Sequence, residues 1–232
     1  MVTPHTDRAY EAELQDLRDK LLAMGGKVEA AIALSVRAVL EREQPLADKV
    51  KADDREVNRL EVEIDSACRR LLALRQPAAS DLRFITTALK IVTDLERMGD
   101  LAVNVAERGV DLSSAPPLPP QHRLARLAEL SEAQLKKALD AFVSRDALKA
   151  EEVMRGDDIL DALYLEIFND LLTLMMEDSR VIRRATALMF VAKHLERFGD
   201  HAINLAEMVV FMVRGTDVRH PGSREPGTRE QA

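Results

Sequence analysis

The sequence has no tryptophan, two tyrosines, six phenylalanines, one cysteine, and nine each of glycine and proline in 232 residues. Each scarcity excludes something. A single cysteine, Cys68, rules out an internal disulfide, and its neighbours Ala67 and Leu71 point to a buried structural thiol rather than a reactive one. So little glycine and proline leaves too few turn residues for a β-rich chain and favours long helices. Aromatics make up 3% against 47% hydrophobic residues, so the core must be built from Leu, Val, Ile, Ala and Met. The longest apolar run, Met208–Val213, falls far short of the ~20 residues that a membrane span needs. The first residues, MVTPHTDRAYEAEL, contain no apolar signal core, so a cytoplasmic location is expected. Lys and Arg are scattered and the net charge is −7, which gives no nucleic-acid footprint.

Apolar residues recur at steps of three and four almost throughout, the periodicity of amphipathic helices. Tyr10, Leu14, Leu17, Leu21, Met24, Val28 and Ala31 form a first stripe, with Gly25-Gly26 expected to interrupt or bend it. Val50, Val57, Leu60, Ile64, Ala67, Leu71 and Leu74 form a second stripe, which Pro77 stops. Ser80 is the expected N-cap of a third helix, from about Asp81 to Leu112. Two apolar seams on that helix suit packing against two neighbours. SSAPPLPPQ, Ser113–Gln121, cannot continue a helix. Beyond it, Leu124 to Phe142 suggest a fourth helix and Val153 to Leu174 a fifth. The sixth is expected to be capped by Ser179 and to run to about Arg214. The tail GSREPGTREQA has no apolar pattern and is expected to be disordered.

The two halves repeat one another. LERMGD at Leu95–Asp100 returns as LERFGD at Leu195–Asp200, and Ala102, Asn104, Ala106 and Glu107 also recur 100 positions later. The second helix of each half aligns at an offset of 103, where Asp54 answers to Asp157 and Glu63 to Glu166. An apolar period alone would match by chance, but shared polar residues and a glycine point to duplication. The expected fold is all-α: two tandem three-helix bundles of six long helices. The first bundle spans residues 7–112, a proline-rich linker 113–121, the second bundle 122–214 and the tail 215–232.

Glu96 and Asp100, four apart, share a helix face, as do Glu196 and Asp200. Like charges at that spacing cost a few tenths of a kcal/mol, and an interior glycine about 1 kcal/mol, so helix stability does not explain the motif. A solvated face with a packing glycine is the plain reading. The positions argue for more. Asp54 and Asp100 each lie 23 residues from Pro77, so an antiparallel hairpin turning there sets them at one level. Asp157 and Asp200 bracket the turn at Asp178-Ser179 likewise, while Asn58 and Asp161 fall near Glu96 and Glu196. Each unit thus gathers about four oxygen side chains, which a multivalent cation would hold together. Such ligands suit Mg, Ca, Mn or Fe, with Zn also a candidate. Arg97 and Arg197 either contact a partner's acidic groups or pair with Asp100 and Asp200 on their own helices. His194 and His201 flank the second motif where the first has Asp94 and Leu101, and a surface or packing role is expected for them. No Glu-x-x-His pair of a di-iron bundle, no nucleophile pattern and no phosphate-binding glycine loop is present.

The segments RQPAASDLRFITTALKIVTDLERMGDLAVNVAE (Arg75–Glu107) and KHLERFGDHAINLAE (Lys193–Glu207) resemble the two signature segments of the PhoU family, accessory and regulatory proteins of bacterial phosphate-specific transport. The resemblance extends from about Asp7 to His220. It implies tandem three-helix bundles, metal clusters at Glu96/Asp100 and Glu196/Asp200, and often a homodimer. It also implies restraint of phosphate uptake and of the phosphate-starvation response, by coupling the transporter's ATPase subunit (PstB-like) to a membrane sensor histidine kinase (PhoR-like). The leading expectation is a non-enzymatic regulator and adaptor. A metal-dependent oxidase or metal-storage bundle is the alternative, and a metal-free structural bundle is the plainest reading.

Overall fold

A computed structural model describes residues 8–112, 116–119, 121–216 and 218; the other residues, including most of the tail expected to be disordered, lie outside it. The elements are α1 (Arg8–Glu41), α2 (Gln44–Arg75), α3 (Ala79–Leu112), α4 (Gln121–Ser144), α5 (Ala147–Met154), α6 (Asp157–Glu177) and α7 (Ile182–Arg214), with one 3-10 turn, Ser179–Val181, entering α7. No strand is present among the described residues.

Helix ends follow local chemistry, with some corrections to expectation. α1 runs unbroken through Gly25-Gly26. A Cβ on Gly25 would stand 2.5 Å from Leu139 Cδ1, so this glycine lets α1 approach α4 rather than bending the helix. The α2–α3 hairpin turns on Gln76 in the left-handed region (φ 44°) followed by Pro77. Ala78, not Ser80, stands in the N-cap position of α3: its carbonyl accepts from Leu82 N at 2.8 Å. Asp178, not Ser179, caps the last helical segment, accepting from Arg180 N at 2.9 Å. Gly215, at φ 74°, ends α7 after Arg214.

The fifth expected helix is divided. Its apolar stripe continues across the break, but the backbone does not. Asp146 caps α5 by accepting from Leu148 N and Lys149 N. Gly156, a poor helix former where the first repeat has Asp53, ends α5 through Val153 O. Asp157 and Asp158 then open α6, where negative charge is favoured by the helix dipole.

The two three-helix units share one hydrophobic core. α1, α3, α4 and α7 form its centre, while α2 packs on α1 and α3, and α6 on α4 and α7. α3 and α7 run antiparallel. Arg83 Nε, near the start of α3, donates to Met212 O near the end of α7 at 3.2 Å. Midway, Asp94 Oδ1 and His201 Nδ1 stand 2.7 Å apart. Phe84 of α3 stacks on Phe142 of α4 at 5.6 Å between ring centres. Residues 116–119 of the linker are pinned: Leu118 is buried and Pro116 O accepts from Arg184 Nη1.

Candidate functional site

The repeated glycines explain how the acids meet. A Cβ on Gly99 would stand 3.2 Å from both Asp54 Oδ1 and Val57 Cγ1, so its absence lets α2 close on α3 beside Glu96 and Asp100. A Cβ on Gly199 would reach Leu160 at 2.8 Å and Gln134 Oε1 at 2.9 Å, so α6 and α4 both crowd α7 there. Two antiparallel helices closing at these points bring their carboxylates to one level.

In the first repeat Asp54, Glu96 and Asp100 are electrostatic neighbours. Burial pushes the Asp54 carboxyl above the usual carboxylate range and the Asp100 charge pushes it further, against a hydrogen bond from Asn58. That bond, Asn58 Nδ2 to Asp54 Oδ2, measures 3.0 Å. Asp54 Oδ1 is buried with no hydrogen-bond partner. Glu96 is likewise raised, first by burial, then by Asp100, Glu61 and Asp54, with Arg97 acting the other way.

In the second repeat Asp157, Asp161, Glu196 and Asp200 gather. Burial raises Asp157, followed by Asp161, Asp158 and Glu196, and its Oδ1 also has no partner. Asp200, though it reaches solvent, is raised by partial desolvation of its carboxylate and then by Glu196 and Asp157. This site contains a cation that the first does not: Lys193 Nζ lies 2.6 Å from Glu196. The first repeat has Thr93 there, whose hydroxyl is spent on Leu89 O.

Glu96 and Glu196 are half-buried, while Asp100 and Asp200 are exposed. Arg97 and Arg197 are exposed too; Arg97 acts on Glu96 and Arg197 on His194. The histidines are engaged elsewhere. His201 faces Asp94 across the α3–α7 seam, and His194 stacks on Phe190 at 6.5 Å, its pKa lowered by burial and by Arg197 and Arg108. Cys68 is fully buried and its thiol is pushed up to about 12, which leaves it inert as a nucleophile.

The donor set is hard oxygen throughout, chemistry that fits a multivalent cation. Buried, unpartnered Asp54 Oδ1 and Asp157 Oδ1, each amid other carboxylates, fit it further. Among the described residues no three His, Cys, Asp or Glu side chains are placed together to hold an ion. Sequence spacing singled out the carboxylates of both repeats but not Lys193, Gln134 or the Asp94–His201 pair. Lys193 was legible as a charge three residues before Glu196; the other two depend on helices far apart in sequence.

Comparison with known proteins places these features in a wider group. The family described as PhoU domain matches residues 21–109 and again 124–209. A phosphate-specific transport system accessory protein PhoU homolog of Pseudomonas aeruginosa is 42% identical over 222 residues, covering 95% of this chain and 92% of the relative. A homolog of the same description from Caulobacter vibrioides is 42% identical over 218 residues, covering 94% and 95%. The crystal structure of PhoU from Pseudomonas aeruginosa superposes with a TM-score of 0.86 at 42% identity, over 89% of this chain and 100% of that one. The phosphate transport system regulatory protein PhoU from Streptococcus pneumoniae superposes with a TM-score of 0.83 at 28% identity, over 90% and 99%.

Proposed function

The chain belongs to the PhoU family, and from that premise we propose that it is an accessory regulatory protein of a phosphate transport system, restraining phosphate uptake and the phosphate-starvation response. The observation that carries this reading is the match over nearly the full chain, through both LERxGD copies, to accessory and regulatory proteins of phosphate transport. The reading extends to a cytoplasmic adaptor, a homodimer, working between a PstB-like ATPase subunit and a PhoR-like sensor kinase. No described helix is long and apolar enough to cross a membrane, so contact with such membrane-associated partners falls to the protein's surface.

A multivalent cation at each cluster belongs to the same proposal. Glu96, Asp100 and Asp54, with Asn58 beside them, would hold one in the first repeat; Glu196, Asp200, Asp157 and Asp161 would hold one in the second. The cation would supply the positive charge that these carboxylates lack. The chain's own contribution is to set the carboxylates at one level of two helices and keep two oxygens unpartnered. Exposed Arg97 and Arg197 stand beside the clusters, available to a partner's acidic groups. A metal-dependent oxidase or storage bundle would use the same carboxylates, and iron-dependent turnover would mark it.

Deleting the gene tests the regulatory reading. Phosphate uptake and phosphatase expression are expected to rise in phosphate-replete medium and return to baseline on complementation. If both stay unchanged in the deletion strain, the reading is wrong.

A further inference from the structure

The internal repeat supplies its own control for one surface. α6 buries only Leu160, Ile167 and Leu171. Along another flank it presents a second apolar stripe at steps of three and four, Leu165, Phe168, Leu172 and Met176, while the adjacent Met175 packs on the core. Leu165 is 55% exposed, Leu172 43% and Met176 82%. Phe168 meets Tyr164, at 6.4 Å between ring centres, and is not among the side chains packed on the core.

α2 occupies the equivalent place in the first bundle. Offset by 103, the positions of Phe168 and Leu172 hold Asp65 and Arg69, joined by an ion pair at 2.5 Å. The position of Met176 holds Ala73. A bundle of this design therefore folds with charge and a small residue at those points, and its core does not call for the phenylalanine, leucine and methionine. Exposed apolar residues in a continuous stripe cost solubility and mark a contact surface. Methionines suit such surfaces because they adapt to a partner's shape.

Charge says what kind of partner fits. α6 carries Asp157, Asp158, Asp161, Glu166, Asp170 and Glu177 and no Lys, Arg or His, whereas α2 carries seven Lys and Arg. Two cations reach α6 from its neighbours: Arg123 of α4 pairs with Asp170 and lies 3.8 Å from Glu166, and Lys193 of α7 lies over the Tyr164 ring. The surplus remains acidic. A second copy would set one acidic helix against another, and an anionic lipid surface would be repelled.

We propose that the Leu165–Met176 flank of α6 is a docking surface for an amphipathic helix of a partner protein whose apolar face is bordered by Lys and Arg. The helix lays its apolar side along the stripe and its basic border against the α6 acids, which set orientation and encounter rate. The inference rests on the accessory-protein reading only in taking the occupant to be another protein. The first repeat keeps one exposed apolar residue of the stripe, Val62 (66% exposed) in the place of Leu165, and then breaks it with the Asp65–Arg69 pair, so the two halves of the chain divide their labour.

The test uses the full chain and a labelled helical peptide of about 18 residues, built from Leu, Ala and Lys with Leu at steps of three and four. Its twin replaces Lys by Glu. The Lys peptide is expected to bind at least about tenfold tighter than the Glu peptide, the gap narrowing at high salt. Phe168→Asp with Leu172→Arg installs the first repeat's own ion pair. It is expected to weaken the Lys peptide at least about tenfold while moving the melting temperature by only a few degrees. Equal binding of the twins, or binding untouched by the double substitution, overturns the proposal. So does a sedimentation result in which that substitution converts a dimer to a monomer, because the occupant is then a second copy. Peptide binding and the gene-deletion phenotype are read separately, so failure of one leaves the other standing.

Discussion

Gly99 and Gly109 both sit on α3, yet they face different materials. A Cβ at Gly99 meets the side chains of Asp54 and Val57, which can give by a few tenths of an ångström; at Gly109 it meets α1 backbone, Val39 N at 3.1 Å and Ala38 C at 3.2 Å. Alanine gains about 1 kcal/mol in helix propensity and risks about 1–3 kcal/mol of overpacking. Gly99→Ala is therefore expected to be near neutral to mildly destabilising, and Gly109→Ala to lower the melting temperature clearly; equal losses in parallel melts would refute the distinction. The acids give a second prediction. Burial, then neighbouring carboxylates, raises Asp54, Glu96, Asp157 and Asp200. The folded state thus holds their protons more tightly than the unfolded chain. That stabilisation is complete below the unfolded-state pKa and is lost as pH rises through the raised folded value. With chelator present, Glu96→Gln with Asp200→Asn is expected to melt about 1–4 °C above wild type at pH 7, the gap closing as pH falls through the carboxylate range. A gap that widens toward acid refutes it. At this scale the carboxylate positions were legible because a hairpin pairs residues of constant index sum about Pro77. The Gly109 contact was not, because nothing in the α3 sequence encodes which backbone passes beneath it.

Between elements, the seam of α3 and α7 joins the repeats, and its polar link is asymmetric. Asp94 is 8% exposed and takes its partner, His201, from the other repeat; the first-repeat counterpart of His201 is Leu101, which is buried. Duplication alone would have left like opposite like. His201→Leu restores the first repeat's residue but strands a buried carboxylate, at an expected cost of ~1–3 kcal/mol. Asp94→Leu combined with His201→Leu should recover part of that loss, because an apolar pair leaves no oxygen unsatisfied. Additive losses in this double-mutant cycle, read from denaturant midpoints, would show that the pair is not coupled. Sequence reading placed both residues as departures from the repeat without joining them. Helical periodicity fixes which face a residue occupies, but the register of two helices 107 positions apart comes from packing of the whole. The division of α5 from α6 escaped for a related reason: the apolar stripe from Val153 to Leu160 keeps its period while Gly156 breaks the backbone.

Over the whole molecule, duplication gives two units, but burial makes them one body. The long helices, the repeat and the hairpin levels were legible because they are carried by local period and by the spacing of Pro77 and Asp178. That α1 meets α4 and α3 meets α7 was not legible, because every helix carries an apolar stripe and the sequence does not say which stripes face each other. The consequence is mechanical. Gly25 admits Leu139 of α4, Phe84 stacks on Phe142, and Arg83 holds Met212 O, each across the unit boundary. An isolated first repeat would expose those faces of α1 and α3 to water, and apolar surface of that extent drives reassociation. The linker contributes Leu118 to the core, but contacts between helices far outnumber what four described linker residues can make. Cleaving the chain between Pro116 and Pro117 is therefore expected to leave the two fragments bound through size-exclusion chromatography. The intact, chelator-treated protein is expected to unfold in a single transition by circular dichroism and calorimetry. Fragments that separate while each keeps its helicity, or two transitions in the intact chain, would mean that the repeats are independent domains. Coupling between the two carboxylate clusters would then lose its support, because α3, which carries Glu96 and Asp100, and α7, which carries Glu196 and Asp200, pack directly on each other.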